Sequence, residues 1–298
     1  MTQLSHRFTP FDVLLYALLL FAWGTSWIAI RAQVGEIAPE VSVFWRFLLA
    51  AAAMLAIARL RGDRLAYGRA DHLRFAALGL FLFSSNFILF YHASLSVPSG
   101  LLAVAFSLAS IVNMALAFIL FRKPVEGRAL LGALLGACGV ALLFAPEILR
   151  TGFDRGSALG FLFCALGTLS FCIGKLVSGD SPKRGVAVIP ASAWGMVYGT
   201  FFCGLFALAF GRRFGVEWTV AYIGALLFLA LSASVLAFYA YLTLLGRIGP
   251  ARAGYATVMF PLVALAISTI FENYQWTAPA MIGAMLALLG NWLVLSRK

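Results

Sequence analysis

The chain has 298 residues, of which 63% are hydrophobic and only 11% are charged. An ordinary soluble domain is about half apolar and about a quarter charged, so this composition excludes a water-soluble globular protein. The net charge of +11 would suit a protein that binds nucleic acid, but the basic residues lie mainly in short loops between apolar segments, which is typical of a protein whose partner is the lipid bilayer.

Ten apolar segments are long enough to cross a bilayer, which requires about 20 residues in a helix. In the first half of the chain they cover residues 13–30, 41–58, 75–93, 101–121 and 129–145. In the second half they cover residues 158–177, 188–210, 220–245, 253–271 and 278–295. The sequence therefore predicts an all-α integral membrane protein with ten transmembrane helices and no room for a separate soluble domain.

The basic residues alternate between the two sides of the membrane that these spans would define. Fifteen of the 22 Lys and Arg residues fall on one side, five fall on the other, and Arg46 and Lys175 fall within spans. Because short loops rich in Lys and Arg stay in the cytoplasm, we predict that both termini are cytoplasmic.

The two halves of the chain, residues 1–146 and 147–298, resemble each other. A shift of 151 residues aligns Gly132 with Gly283 in the last span of each half, and a shift of 152 aligns Pro98 with Pro250. The common order of such matches predicts two five-helix repeats. Because five is odd, the second repeat would begin on the opposite side of the membrane from the first, and inverted repeats of this kind are typical of secondary transporters.

Three stretches of sequence carry a family resemblance, namely WGTSWIAIR in the first span, FWRFLLAA in the second and LLGRIGPARAGYATVMFPLVAL leading into the ninth. With them, the chain resembles the EamA group of the drug/metabolite transporter superfamily, in particular its YddG-type exporters of aromatic amino acids. The resemblance covers nearly the whole chain. It implies a bacterial inner-membrane protein that exports amino acids or similar metabolites through a central cavity lined by helices one to four and six to nine, with helices five and ten at the periphery.

Aromatic and polar residues in the first and third spans are the first candidates for a substrate path. Trp23 and Trp27 are four residues apart and therefore share one face of a helix, beside Gly24. Small residues at that position would equally allow close helix packing. In the third span, Asn86 needs a hydrogen-bonding partner that lipid does not offer, so it should face a wet cavity or another helix.

Further polar groups could complete a substrate site. Tyr91 and His92 follow towards the outer end of the third span, where His92 could relay protons or simply meet water. Ser232 and Tyr239 are seven residues apart and so share a face of the eighth helix. Together with other dispersed groups they would form a neutral cavity with aromatic walls, suited to a zwitterion or an aromatic solute, although each alone could serve packing. The other groups are Asn113, Thr168 and Tyr255.

Two charged side chains, Arg46 and Lys175, fall within predicted spans, where a charge is costly and marks a candidate functional residue. We expect Arg46 to bind a helix C-terminus or backbone carbonyls as a structural contact, with binding of a substrate carboxylate as the alternative. We expect Lys175 to extend along its helix to the cytoplasmic interface.

Small residues and proline mark positions for close packing or bending. Gly132 and Gly283 belong to runs of spaced small residues that would let helices five and ten pack together, within one chain or in a homodimer, although a monomer would suffice. Gly24 and Gly167 belong to Gly-Thr pairs that recur in the first span of each half, and Pro261 lies within the ninth span.

Some residue types are absent where particular functions would need them. No Asp or Glu lies in the middle of a predicted span, which disfavours proton antiport driven by an intramembrane carboxylate. The three histidines are dispersed along the chain, so we predict no metal site, no cofactor and no enzyme active site.

We therefore expect a secondary transporter that exports neutral or aromatic amino acids by alternating access or facilitated diffusion. Export of a cationic drug, a nucleoside or a sugar derivative is the alternative, and a membrane-embedded enzyme is the remote one.

Overall fold

The computed structural model describes residues 9–122, 124–151, 155–178, 185–254 and 256–295 of the chain. Within these residues, all regular secondary structure is helical. Eight helices are long and apolar enough to cross a membrane, and two shorter apolar helices complete a ten-helix membrane fold. The all-α fold class predicted from the sequence is confirmed.

We number the helices α1 to α10 in chain order. The first five are α1 (Pro10–Arg31), α2 (Pro39–Leu60), α3 (Arg69–Ala93), α4 (Ser99–Phe121) and α5 (Gly127–Thr151). The second five are α6 (Arg155–Ser178), α7 (Val188–Ala209), α8 (220–254), α9 (Ala256–Phe271) and α10 (Ala278–Leu295).

Several helices extend beyond the predicted spans. The segment after residue 245, which we predicted as a loop, is helical to Gly254, because polar residues mark the exit from the bilayer and not the end of the helix.

Three of the helices are irregular in the middle. A π-helical turn covers Phe81–Ser85 in α3, and a longer one covers Phe228–Leu236 in α8. In α4 the α-helix is interrupted at Leu108. The N–H of Leu108 donates to the carbonyl of Ala105, only three residues earlier, with 3.1 Å between nitrogen and oxygen. A π-helical turn holds one residue more than an α-helical one, so side chains beyond it point in directions that α-helical spacing does not predict.

Polar contacts join alternate loops at each end of the bundle. At one end the indole of Trp45 donates to the carbonyl of Gly215 at 2.9 Å, and the guanidinium of Arg31 donates to the carbonyl of Ser94. At the other end the indole of Trp194 donates to the carbonyl of Leu65 at 3.1 Å. Successive helices therefore run in alternate directions, and we name the two ends outer and inner after the orientation that the charge distribution predicts.

Helix α1 is fixed at the inner end by a capping box. The Thr9 hydroxyl accepts from the backbone N–H of Asp12, and the Asp12 carboxylate accepts from the Thr9 backbone N–H at 3.0 Å. The same carboxylate pairs with Arg247 of α8, with 2.5 Å between Nε and Oδ1. Because both the cap and the ion pair depend on this carboxylate, Asp12 connects the start of α1 to the inner part of α8.

Helices α5 and α10 pack together through glycines on both sides. A Cβ on Gly132 would lie 2.7 Å from the carbonyl oxygen of Gly290, and a Cβ on Gly290 would meet the carbonyl oxygen of Gly132. Gly139 and Gly283 face each other in the same reciprocal way. The small residues that the sequence analysis assigned to helix packing therefore meet within one chain.

The remaining predicted packing positions also lie at close helix contacts. A Cβ on Gly24 of α1 would lie 2.5 Å from Val263 of α9, close to Pro261, which is buried within α9. A Cβ on Gly167 of α6 would meet the ring of Phe90 of α3 at 2.9 Å. Each glycine therefore allows a helix pair to approach more closely than any side chain would permit.

We predict that Gly290→Ala destabilises the protein. The added methyl group would meet the backbone of α5, which cannot move aside as a flexible side chain would, so the two helices must separate. The expected loss is about 1 to 3 kcal/mol in the free energy of unfolding, measured by thermal unfolding of purified protein in detergent. The matched control is Gly224→Ala, because a Cβ at Gly224 meets nothing within 4 Å. Equal melting temperatures for the two variants would contradict the prediction.

Candidate functional site

A cavity of about 380 Å³ lies in the middle of the bundle. Residues from α1 to α4 and from α6 to α9 line it, and α5 and α10 contribute none of the lining residues among the part of the chain that the structure describes. This is the arrangement that the family resemblance implies. The volume falls within the range of small-molecule sites, about 300–1,000 Å³.

Aromatic side chains supply 11 of the 23 described residues that line the cavity. The ring centroid of Trp27 lies 5.2 Å from that of Phe90 and 5.6 Å from that of Phe106. Trp23 packs against Tyr241 with 5.5 Å between the centroids, and its indole N–H donates to the carbonyl of Ala233 at 3.3 Å. The other aromatic lining residues are Phe47, Phe83, Phe87, Phe171, Phe238 and Phe260. Such a wall would hold an aromatic or apolar group by packing and ring contacts.

Arg46 of α2 reaches the cavity from the side and is only 2% exposed. Its Nε and Nη2 both donate to the hydroxyl oxygen of Ser234 at 3.2 Å, and its guanidinium lies over the ring of Phe87, 4.4 Å from the centroid. The remaining amino group, Nη1, is buried and has no hydrogen-bond partner in the part of the chain that the structure describes. Our expectation that Arg46 binds a helix C-terminus or backbone carbonyls is wrong, because its partner is a side-chain hydroxyl on α8.

The π-helical turn of α8 explains why Ser234 serves as that partner. Its hydroxyl donates to the carbonyl of Leu229, five residues earlier, at 2.8 Å. This is the spacing of a π-helix, in which backbone carbonyls pair with groups five residues further on. Because the hydroxyl proton is committed to Leu229, the oxygen lone pairs remain available to accept from Arg46.

Asn86 of α3 lines the same cavity and is 3% exposed. Its Nδ2 donates weakly to the carbonyl of Leu82 at 3.4 Å, whereas its Oδ1 is buried without a partner. A buried polar atom without a partner costs about 1 to 3 kcal/mol. Among the described residues that line the cavity, Asn86 and Arg46 are the two with such atoms.

Lys175 of α6 is exposed and lines the inner part of the cavity, near Ser178 and Ser192. Its Nζ lies 5.6 Å from the ring centroid of Phe171. The side chain therefore borders the cavity, whereas we expected it to extend along its helix to the cytoplasmic interface. No Asp or Glu belongs to the described lining residues, so the cavity is lined by two basic side chains and by no acidic one, whereas the sequence analysis predicted a cavity lined by neutral groups.

Two acidic side chains, the buried Glu40 and the partly buried Glu272, connect helices at the outer end of the bundle. The carboxylate of Glu40 lies 2.8 Å from Nε2 of His92 and 3.5 Å from Nε of Arg212. The carboxylate of Glu272 accepts from the backbone N–H of Ser99 at 3.0 Å and from the hydroxyl of Ser268 at 2.6 Å. These contacts connect α2 with α3 and α4 with α9. The lining residues nearest this end, Ile30 and Phe90, are only 3% and 2% exposed, so the outer end of the cavity is closed in this structure.

Tyr91 and His92 belong to this outer closure and not to the cavity wall. The hydroxyl of Tyr91 donates to Oε1 of Gln33 at 2.7 Å, and the imidazole of His92 contacts Glu40. The interactions of Tyr91 also include the neighbouring guanidinium of Arg46. Tyr91 therefore lies between the closed outer end and the cavity.

Several other predicted site residues lie away from the cavity. Thr168 is buried and its hydroxyl donates to the carbonyl of Cys164 in its own helix at 2.8 Å, and Asn113 is half-buried on α4 outside the lining. On α8, Ser232 is half-buried and Tyr239 is 42% exposed on the outside of the bundle. Tyr255 lies outside the described residues.

The sequence analysis missed the residues of α8 that do line the cavity, namely Ala233, Ser234, Phe238 and Tyr241. It chose Ser232 and Tyr239 as one face of α8, whereas the lining residues lie on another face, which begins within the π-helical turn. The segment has no proline or other local signal of a π-helix, so only the packing of α8 against α1 and α2 reveals it.

Comparison with known proteins points to one family. The model of the EamA-like transporter family matches residues 11–145 and 156–296. The chain is 22% identical over 280 residues to "Uncharacterized transporter YoaV" of Bacillus subtilis, covering 93% of this chain and 94% of that protein. It is 27% identical over 288 residues to "Uncharacterized inner membrane transporter YedA" of Escherichia coli K12, covering 94% and 90%.

A third relative carries a more specific name. The chain is 22% identical over 293 residues to "Probable amino-acid metabolite efflux pump" of Escherichia coli K12, covering 95% of this chain and 94% of that protein. A solved crystal structure of a protein 16% identical to this chain has the same fold, with a TM-score of 0.67 and coverage of 95% of both chains.

We predict that the cavity is reached by water from the inner end only. In a variant with the native cysteines replaced by serine, Ser178→Cys at the inner part of the cavity should react rapidly with a water-soluble maleimide. Ile30→Cys should be protected, because Ile30 lines the outer part of the cavity and is 3% exposed. Thiols react as thiolates, which form readily only where water reaches them. Labelling in denaturant provides the control for equal total reactivity, and faster labelling at position 30 than at 178 would contradict the prediction.

Proposed function

Because this chain belongs to the EamA-like transporter family, we propose that it exports neutral or aromatic amino acids and their analogues as a secondary transporter. The observation that carries the proposal is the central cavity with aromatic walls, which is closed at the outer end and lined at the inner end by exposed and half-exposed residues. A solute could enter such a cavity from the inner side, and its apolar part would pack against Trp23 and Trp27.

The name of one relative, a probable amino-acid metabolite efflux pump, supports amino acids as the solute class. The name of another, an inner membrane transporter, supports placement in the bacterial inner membrane. With the predicted cytoplasmic termini, the inner end of the cavity would face the cytoplasm. A transporter in this conformation is ready to load a solute for export.

Alternating access between two inverted repeats is the mechanism that we propose. The family model matches the chain twice, once over each set of five helices. Gly132 and Gly283 occupy equivalent positions in the two halves, as do Gly139 and Gly290, and the contacts are Gly132 with Gly290 and Gly139 with Gly283. Reciprocal contacts of this kind are typical of a two-fold axis. Since α5 and α10 run in opposite directions, the axis would lie in the membrane plane, as in inverted repeats.

The charge of the cavity bears on the alternative solutes. The lining includes Arg46 and Lys175 and, among the described residues, no carboxylate. A cationic drug would enter such a cavity against electrostatic repulsion and without a counter-ion. A nucleoside or a sugar derivative would need many hydrogen bonds, whereas most of the described lining residues are aromatic or aliphatic.

The proposal predicts flux of amino acids in a purified system. Protein reconstituted in liposomes should exchange labelled phenylalanine or tryptophan for unlabelled amino acid inside the vesicles, and protein-free liposomes should not. In cells, expression should raise resistance to toxic analogues of aromatic amino acids. Absence of flux across a broad panel of amino acids, with protein that is folded by gel filtration and thermal unfolding, would refute this solute class.

We predict that Trp27→Ala weakens transport. The substitution removes the ring that contacts Phe90 and Phe106 at the cavity wall, so the KM for phenylalanine should rise about tenfold. The matched control is Trp218→Ala, because Trp218 is 86% exposed in the loop before α8. Initial rates of exchange in liposomes give both values. Equal KM for the two variants would show that the aromatic wall does not contact the solute.

A further inference from the structure

We propose that Arg46 and Ser234 form a subsite for the carboxylate of the solute, so that the transported solutes are aromatic or otherwise apolar carboxylates with or without an amino group. This inference rests on the proposed transport function and names the chemical group that the cavity recognises.

Among the described residues, the guanidinium of Arg46 has neutral neighbours, Ser234 and Tyr91, but no anionic partner. It is 2% exposed, its Nη1 has no hydrogen-bond partner, and no carboxylate belongs to the described residues that line the cavity. A buried charge is stable only when it is paired and hydrogen-bonded. An anionic group entering the cavity would supply both the charge and the acceptor.

Neighbouring groups hold the guanidinium in one orientation. Nε and Nη2 both donate to Ser234, and the plane of the group lies over Phe87. Ser234 is itself fixed, because its hydroxyl donates to the carbonyl of Leu229. A guanidinium fixed in this way is preorganised for a carboxylate, with Nη1 as the donor that the protein leaves unused.

A second cation would guide anions towards this subsite. Lys175 lines the inner part of the same cavity, so both positive charges act on a solute that enters from the inner end. The acceptors that an ammonium group would find are neutral, such as the unpartnered Oδ1 of Asn86. An amino group is therefore tolerated without being required, whereas the carboxylate is required.

Equilibrium binding to the purified full-length protein in detergent tests this inference separately from transport. Three probes share a phenyl group, namely phenylalanine, 3-phenylpropionate and phenethylamine. At pH 7.5 they are a zwitterion, an anion and a cation. Isothermal titration calorimetry should show that phenylalanine and 3-phenylpropionate bind, and that phenethylamine binds at least about tenfold more weakly.

Substitutions at Arg46 and Ser234 test whether this subsite causes the preference for carboxylates over phenethylamine. Arg46→Gln should weaken binding of both carboxylates about tenfold or more and remove the preference over phenethylamine. Arg59→Gln is the matched control, because Arg59 lies on the same helix but is exposed at the inner end, outside the cavity. A merely structural role of Arg46 would weaken all three probes alike. Should Arg46→Gln fail to fold, Ser234→Ala should reduce the same ratio by loosening the guanidinium.

The possible outcomes separate this inference from the proposed function. Phenethylamine binding as tightly as 3-phenylpropionate, or an unchanged ratio in folded Arg46→Gln, would overturn the carboxylate subsite and leave amino-acid transport standing. Binding of 3-phenylpropionate together with no flux of any amino acid in liposomes would support the subsite and overturn the proposed solute class. Binding of none of the three probes would overturn the subsite.

Discussion

A positive charge held inside an apolar bundle, with no counter-ion among the described residues around it, is the constraint around which the centre of this protein is arranged. Arg46 is buried, and the structure stabilises its guanidinium with a hydroxyl from α8 and an aromatic face from α3. Neither contact neutralises the charge. The π-helical turn of α8 directs Ser234 to the guanidinium, so an irregular backbone and a buried cation depend on each other.

The irregular turns of α3, α4 and α8 all belong to helices that line the cavity. Irregular backbone within a membrane is tolerated where it is covered by protein or borders a cavity, and π-helical turns are frequent at functional sites. The regular helices α5 and α10 lie elsewhere and contact each other through glycines. The molecule therefore combines a close-packed helix pair at the periphery with a less regular centre, where the solute site is expected.

The two ends of the bundle differ in how their helices are connected. At the outer end, Glu40 and Glu272 join helices through partly buried ion pairs and hydrogen bonds. At the inner end, the Asp12–Arg247 pair joins α1 to α8, while exposed Lys175 and half-exposed Ser178 border the cavity. Opening the cavity at the outer end and closing it at the inner end would break the outer contacts and form new ones at the inner end. Such contacts can break and form because they are local and polar, unlike the glycine packing of α5 against α10.

The sequence by itself determined the ten-helix membrane fold, because apolar length and loop charge respond to the bilayer and not to tertiary contacts. The sequence also indicated Trp23, Trp27, Asn86, Arg46 and Lys175 as candidate functional residues, and all five line the cavity. Aromatic, amide and charged groups within a span need an environment other than lipid. Only the tertiary structure decided what these groups contact. Arg46 pairs with Ser234 from the other half of the chain, and a π-helical turn of α8 places the Ser234 hydroxyl against the carbonyl of Leu229. Helix periodicity cannot reveal such a turn, because it forms through packing between helices far apart in sequence.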